Sequence, residues 1–564
     1  MSMRLEAAIG EKLCRETEAR CFWWEGVWYS KEDFSRLVEA CRQSLIGSGF
    51  VSGQRLCVLM QNNPMIPALS LAVWQLGGSF CPLNAKSGAA SLSGTIELLE
   101  PFAIVLSEET RALLGGGKFP CVACPPMGPL PSFEGRASEY ESGDIAVIFA
   151  TSGTTGAPKA VPLTHGNIHS NCLGIREIIR PIDEGDVFLN VLPNFHSFGY
   201  TISTILPLFM DAAQAIVPGF MPPQATMRAI REAEVNVLFG VPAIFSYLLN
   251  VVERGALPQK SIGDMKVLIS GGDRLAPEMH SAALKIFGKD IMEGYGLTET
   301  SPAVAISRSY EEYRQGTVGP FLTGYEWQLR MENGELAEEN EGVLWVKSPS
   351  VAAGYFRAPA LTAERFRDGW FDTGDYVRVG EGGYVEVLGR VTDIVIVGGF
   401  NVYPQEVEQV LHAHPAIETA IVIGMPHRVT GEVLQAFVKR APDSGITERE
   451  VLKYCKEHWH TSRCRGKSSL WMNSPFRIQA RSFAASCANA SPNAEDVAGR
   501  SVRSLVRPIS LAGRAFFVCR IALHDEAKPS RFIPPVLIGR PVYPILARLQ
   551  AGRSAGIMLT VKIC

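Results

Sequence analysis

At 564 residues the chain is too long for one ordinary hydrophobic core, and its length predicts three or four structural units of roughly 150 residues each. Apolar residues at 46% and charged residues at 20%, with no low-complexity run, exclude a disordered or fibrous chain. A net charge of −3 supplies no basic field for nucleic acid, but it hides a divide: residues 460–564 hold 16 Lys and Arg against 4 Asp and Glu, a net +12, which leaves −15 on residues 1–459.

The start, MSMRLEAAIGEKLC, carries charges where a secretory leader needs an apolar stretch, and thirteen irregularly spaced cysteines read as reduced thiols in a cytoplasmic setting. Residues 31–46 have helical apolar spacing, 55–60 (RLCVLM) read as a buried strand, and 65–75 return to helical intervals. The alternation resumes with strands at 144–150 (DIAVIFA), 187–192, 235–239 and 265–270, each followed by a polar or Gly-rich turn and a helical stretch. Strands apolar on both faces predict a mostly parallel sheet covered by helices. The most apolar stretch, 201–218, is interrupted by Pro207 and Asp211, so no spanning helix is expected and a peripheral membrane contact stays open.

From about Gly334 the texture changes to short, glycine-punctuated strands, GVLWVKS, GYVEVLG and TDIVIVGG, which predict a smaller mixed or antiparallel unit. Residues 389–393 read as a junction, followed by a helix at 404–413, a strand at 419–423 and a helix at 447–458. The fold class is α/β, with a large N-terminal domain over 1–388, a hinge at 389–393 and a small mixed α+β C-terminal domain over 394–458.

Three clusters carry chemistry. The string TSGTTGAPKAVPLTH begins at Thr151, directly after an apolar strand. Its small hydroxyl residues and glycines (Thr151, Ser152, Gly153, Thr154, Thr155, Gly156) can wrap anionic oxygens with N–H and O–H groups, and Lys159 adds a mobile positive charge. It reads as a polyphosphate loop but not a Walker A loop, because Pro158 rather than Gly precedes the lysine. In GYGLTETSP, Tyr295 can cover a purine face, Thr298 can donate to a phosphate oxygen and Glu299 offers hard oxygen ligands to Mg2+; Gly296 lies between them. In the third cluster, beginning GWFDTGDYV, Asp375 can accept from both ribose hydroxyls and Arg390 can donate to ribose or phosphate.

Together these strings resemble the acyl-adenylate-forming superfamily of acyl-CoA synthetases, luciferases and peptide-synthetase adenylation domains, over about residues 20–458. The resemblance implies ATP and CoA as co-substrates, with the phosphopantetheine of an acyl carrier protein as the alternative thiol. It also implies Mg2+ held by Thr155 and Glu299. It matches the phosphate loop to Thr151 through Lys159, the ribose contacts to Asp375 and Arg390, and the hinge to Thr392, where the usual Asp or Lys is displaced to Asp393 or absent. Gly398 and Gly399 would line the pantetheine approach. LPNFHSFGY places His196 where fatty-acyl synthetases gate an acyl tunnel, and Gly271 and Gly272 resemble the wall of the acyl and adenine pockets. Since these segments are apolar or small, a medium- or long-chain fatty acid is the expected substrate, with an aryl acid as the rival. A nucleotide or acyl-adenylate binder without turnover is the reading from another class.

The resemblance also implies a lysine in a Gly-Lys motif near the C-terminus, which polarises the carboxylate and the α-phosphate during adenylation, and no such motif stands in its proper context here. Reading the codons of residues 459 onward from one nucleotide earlier forces Leu and then Ala after His458, and permits a family-like ending with a Gly-Lys pair across Gln479, Ala480 and Arg481. Residues 459–564 are therefore expected to be a frameshifted or misread tail.

Overall fold

The computed structural model describes residues 4–114, 119–136, 144–152, 158–179, 182–331, 334–397, 400–427, 431–441, 444–458, 509–511, 514–516 and 558–563. The chain divides into two compact units, Met1–Thr392 and Asp393–Cys564.

Three sheets build the first unit. The largest runs, in spatial order, from the strand Ala303–Ile306 through Met292–Gly296, Val267–Ser270, Val237–Gly240, Val187–Asn190, Ala213–Ile216 and Arg20–Trp24 to Val27–Ser30. Its six inner strands are parallel and only its two edges antiparallel. Val237–Gly240, Val267–Ser270 and Val187–Asn190 are buried along their whole length, which explains why they read as continuous apolar runs rather than as alternating ones. Helices such as Pro242–Glu253 and Pro277–Ile286 connect the parallel strands, as crossovers must.

The second sheet orders Cys121–Ala123, Ala103–Leu106, Arg55–Leu59, Ser79–Pro82, Ile145–Ser152 and Pro158–Thr164. It is parallel except for its last pair, an antiparallel hairpin in which Thr151 faces Lys159. The loop expected to open at Thr151 is thus corrected: Thr151 and Ser152 extend the strand, because their backbones pair across the hairpin with Lys159 and Pro158. Pro158 and Pro162 are tolerated in Pro158–Thr164 because that strand is the sheet's edge, where a missing N–H leaves no ladder bond unmade. A third, antiparallel sheet joins Glu326–Arg330, Glu341–Lys347, Trp370–Val379, Phe366–Arg367 and Val385–Arg390.

The helix His165–Ile178 follows the hairpin and starts with a capping box: Asn167 N–H donates to Thr164 Oγ1 at 3.0 Å and the Asn167 side-chain Oδ1 accepts from Thr164 N–H at 2.9 Å. The apolar stretch at 201–218 breaks into a π-helical turn (Phe198–Ile205), a short helix (Leu206–Met210) and a strand (Ala213–Ile216). Among the described residues no helix is long and apolar enough to cross a membrane.

The second unit has its own core, in which Val395, Val407, Val422, Val438 and Val451 are buried together. Its antiparallel sheet orders Phe400–Val402, Val395–Val397, Gly431–Arg440 and Ile417–His427, with Met558–Ile563 also pairing to Gly431–Arg440. The helices Pro404–His412 and Glu448–His458 complete it. A reading of irregular cysteine spacing overlooks one C-x-x-C, Cys121 to Cys124. Both thiols are free, and burial pushes both above the usual range, that of Cys124 to about 12, so neither has the depressed pKa of a reactive cysteine.

Candidate active site

The first unit contains a cavity of about 1860 Å³ onto which Lys159, His196, Gly271, Gly272, Tyr295, Gly296, Thr298, Glu299 and Arg390 all open. Residues far apart in sequence meet there because parallel strands deliver their C-terminal ends, and the turns after them, to one edge of the sheet.

Lys159 projects from the hairpin strand, its Nζ 3.2 Å from Glu299 Oε1 and 3.8 Å from the centre of the Tyr355 ring. Glu299 sits in the turn Thr298–Thr300 that ends the strand Met292–Gly296. The turn is held by its own hydroxyls: Thr300 Oγ1 accepts from Leu297 N–H at 3.0 Å, and Ser301 Oγ donates to Ser350 O at 2.7 Å. Gly296 is required here, since a Cβ would stand 1.9 Å from Pro302 O. Asn171, on the helix after the hairpin, donates to Thr300 O at 3.1 Å and to Ala303 O at 2.7 Å, which ties the helix that follows the Lys159 strand to the Glu299 turn.

The Tyr295 hydroxyl donates to Asp375 Oδ2 at 2.6 Å, and Arg390 Nε lies 3.5 Å from Oδ1. Asp375 and Arg390 are direct partners in the antiparallel pair Trp370–Val379 with Val385–Arg390. Burial pushes the Asp375 carboxyl above the usual carboxylate range, and the Tyr295 bond and the Arg390 guanidinium work against that rise. Burial and the neighbouring carboxylate also hold the Tyr295 phenol well above its ordinary value, so it remains a donor. Arg365, overlooked in the sequence, donates from Nε and Nη2 to Asp372 O at 3.0 and 2.7 Å, bracing the turn at Gly374, whose φ is +70°.

His196 lines the same cavity. Burial pushes its pKa below the ordinary imidazole value, favouring the neutral ring. The next residue, Ser197, donates from Oγ to Thr298 Oγ1 at 3.2 Å. The lining also includes the apolar side chains of Phe198, Ile202, Phe220, Phe239, Val241 and Ile244. Gly271 closes on Phe198: a Cβ there would meet its ring at 3.2 Å.

Gly153, Thr154, Thr155 and Gly156 lie outside the described residues, as do Gly398 and Gly399; Thr151 and Ser152 are described by backbone alone. Among the described residues no three His, Cys, Asp or Glu side chains cluster around a common metal position. A lone carboxylate beside hydroxyls, as at Glu299 and Thr298, is nevertheless a donor set that fits Mg2+, which takes the rest of its shell from phosphates and water.

The AMP-binding enzyme family profile matches residues 11–356, more than half of the chain. The chain belongs to the AMP-binding enzyme family. The profile of the AMP-binding enzyme C-terminal domain matches residues 406–465 in addition and stops shortly past the helix Glu448–His458. A feruloyl-CoA synthase of Amycolatopsis sp is 30% identical over 433 residues, 75% of this chain and 86% of that protein. A long-chain-fatty-acid–CoA ligase of Bacillus subtilis (strain 168) is 36% identical over 298 residues, 52% of each chain. The crystal structure of ATP-bound MatB from Rhodopseudomonas palustris superposes with a TM-score of 0.72 at 30% identity, covering 81% of this chain and 92% of that one. The chain is accordingly a member of the adenylate-forming acid–thiol ligase superfamily.

Proposed function

We propose that this AMP-binding enzyme is built to join a medium- or long-chain fatty acid to CoA through an acyl-adenylate, and that Lys159, Thr298, Glu299, His196, Tyr295, Asp375 and Arg390 serve that chemistry. The observation that carries the substrate reading is the apolar character of part of the cavity lining. The lining residues from 192–202, 218–221, 239–244 and 269–272 include no charged side chain, and their one titratable group, His196, is held toward its neutral form by burial. Such a wall favours an uncharged alkyl chain and offers no fixed charge to a substituted acid.

In the first step a carboxylate oxygen of the acid attacks the α-phosphorus of ATP in line, forming a P–O bond as the bond to pyrophosphate breaks. Lys159 supplies positive charge beside the phosphates and Thr298 a hydroxyl donor, where negative charge builds. Glu299, with Thr155, would hold Mg2+, which when bound neutralises phosphate charge. Tyr295 borders the nucleotide end, and Asp375 and Arg390 hold the ribose. In the second step a thiolate attacks the acyl carbon and AMP leaves with the electron pair of the broken anhydride bond. An acyl carrier protein would serve in place of CoA through the same pantetheine thiol.

An aryl acid is the second reading, favoured by the likeness to feruloyl-CoA synthase over 75% of this chain. Non-hydrolysable acyl-adenosine sulfamates test the choice without requiring turnover. Calorimetric titration is expected to rank the palmitoyl or octanoyl analogue above the feruloyl and benzoyl ones by about tenfold or more, from burial of additional methylenes; the reverse order selects the aryl reading.

A further inference from the structure

Tyr355 touches both charged groups of the phosphate end, and none of the sequence clusters contains it. It lies in a strap whose backbone is tied on either side of it to the two elements bearing those groups. Ala352 N–H donates to Glu299 O at 2.8 Å, and Phe356 N–H donates to Ala160 O, next to Lys159, at 2.9 Å. Its own N–H is fixed by Thr362 Oγ1 at 2.9 Å, and its ring meets Phe366 edge-on at 5.5 Å. The ring face carries the Lys159 ammonium at 3.8 Å, and the hydroxyl donates to Glu299 Oε1 at 2.8 Å. Lys159 Nζ contacts the same oxygen at 3.2 Å, so lysine, tyrosine and glutamate form a closed triangle.

We infer that Tyr355 is a positioning residue for this ligase: its ring seats the Lys159 ammonium, and its hydroxyl fixes Oε1 of Glu299 so that the other carboxylate oxygen is left for a divalent cation on the nucleotide. A plain packing role would need only the ring; the hydroxyl bond to a functional carboxylate sets the two apart. The inference rests on the nucleotide reading of the site given above.

Calorimetric titration of ATP into the full chain, without acid and with or without Mg2+, tests it. Tyr355→Phe keeps the ring and removes only the hydroxyl. It is expected to cut the Mg2+-dependent gain in ATP affinity about tenfold while Mg2+-free affinity changes less than about twofold. In a Glu299→Gln background the same substitution should add almost nothing, because its target is gone. Tyr355→Leu should lower Mg2+-free affinity as well, since Lys159 loses its ring face. An unchanged or enlarged Mg2+ effect in Tyr355→Phe, or an equal loss in both backgrounds, overturns the inference. Absence of ATP binding by the unsubstituted chain overturns the nucleotide reading itself.

Discussion

Tyr295 and Asp375, 80 positions apart, are joined by a 2.6 Å hydrogen bond in which the phenol donates to a carboxylate that is almost wholly buried. The sequence suggests separate tasks for them, a purine cover and a ribose acceptor. The geometry adds dependence, because a buried carboxylate left without a donor favours its protonated form.

Tyr295→Phe therefore raises the Asp375 pKa further and weakens AMP binding by about tenfold at neutral pH, the cost of one charge-assisted bond. Since Asp375, in the ribose role proposed for it, accepts hydroxyls best as the carboxylate, AMP affinity is expected to fall as pH drops through its raised pKa, and the fall to begin at higher pH in Tyr295→Phe. Titrations of AMP between pH 5 and 8 would expose a parallel, pH-independent loss if the two residues act separately.

Lys159→Ala removes the cation beside Glu299 and leaves that carboxylate facing the phosphates alone. Acid-dependent exchange of pyrophosphate into ATP should fall on the order of a hundredfold or more, with a smaller change in Km for the fatty acid. A change confined to the acid's Km would contradict a phosphate role.

His280 provides a pH test of stability. Burial lowers its pKa, but Asp290 at 2.7 Å and Glu293 at 3.5 Å outweigh that and raise it from 6.5 to about 9. The folded pKa lies above the unfolded one, so the stabilisation is fully present below about pH 6.5 and is lost as pH rises through about 9. It amounts to an upper bound on the order of 3 kcal/mol. Urea midpoints from pH 6 to 10 should show this slope in the unsubstituted chain and not in His280→Gln. Glu293 also accepts from Leu275 N–H at 3.4 Å and adjoins Gly294, so the same substitution should loosen nucleotide binding modestly.

Gly271→Val would press on Phe198, which already stands 3.2 Å from the position of a Cβ there. The acyl end narrows, and affinity for a palmitoyl-adenosine sulfamate should fall at least tenfold more than for an acetyl one. Equal losses for both lengths would place the acyl chain elsewhere.

Strands such as Val237–Gly240 and Val267–Ser270 were legible because burial on both faces writes an uninterrupted apolar run. Strand direction was not: nothing local in DIAVIFA and PKAVPLT says that they pair antiparallel, since partner choice is made by the whole sheet. The motifs around Lys159, Glu299 and Asp375 announced themselves through unusual local strings. Tyr355, Arg365 and Asn171 could not, because an aromatic, an arginine or an asparagine acquires its meaning only from hydrogen bonds to segments far away in sequence.

The C-terminal family match ends at residue 465, within the basic tail, and no Gly-Lys motif follows the helix Glu448–His458 in family context. The coding DNA across His458 is expected to carry an open, family-like reading in the shifted frame; an intact transcript without one would establish the tail as genuine.

The most direct measurement is fatty-acid-dependent exchange of labelled pyrophosphate into ATP, made on the chain as written and on a chain whose residues from 459 follow the shifted reading. Exchange with palmitate or octanoate is expected in the second protein and is expected to be on the order of a hundredfold slower in the first, which lacks the terminal lysine. Equal rates in the two proteins would contradict the part assigned to that lysine, and a second protein that exchanges with no fatty acid would contradict the ligase assignment made for this site.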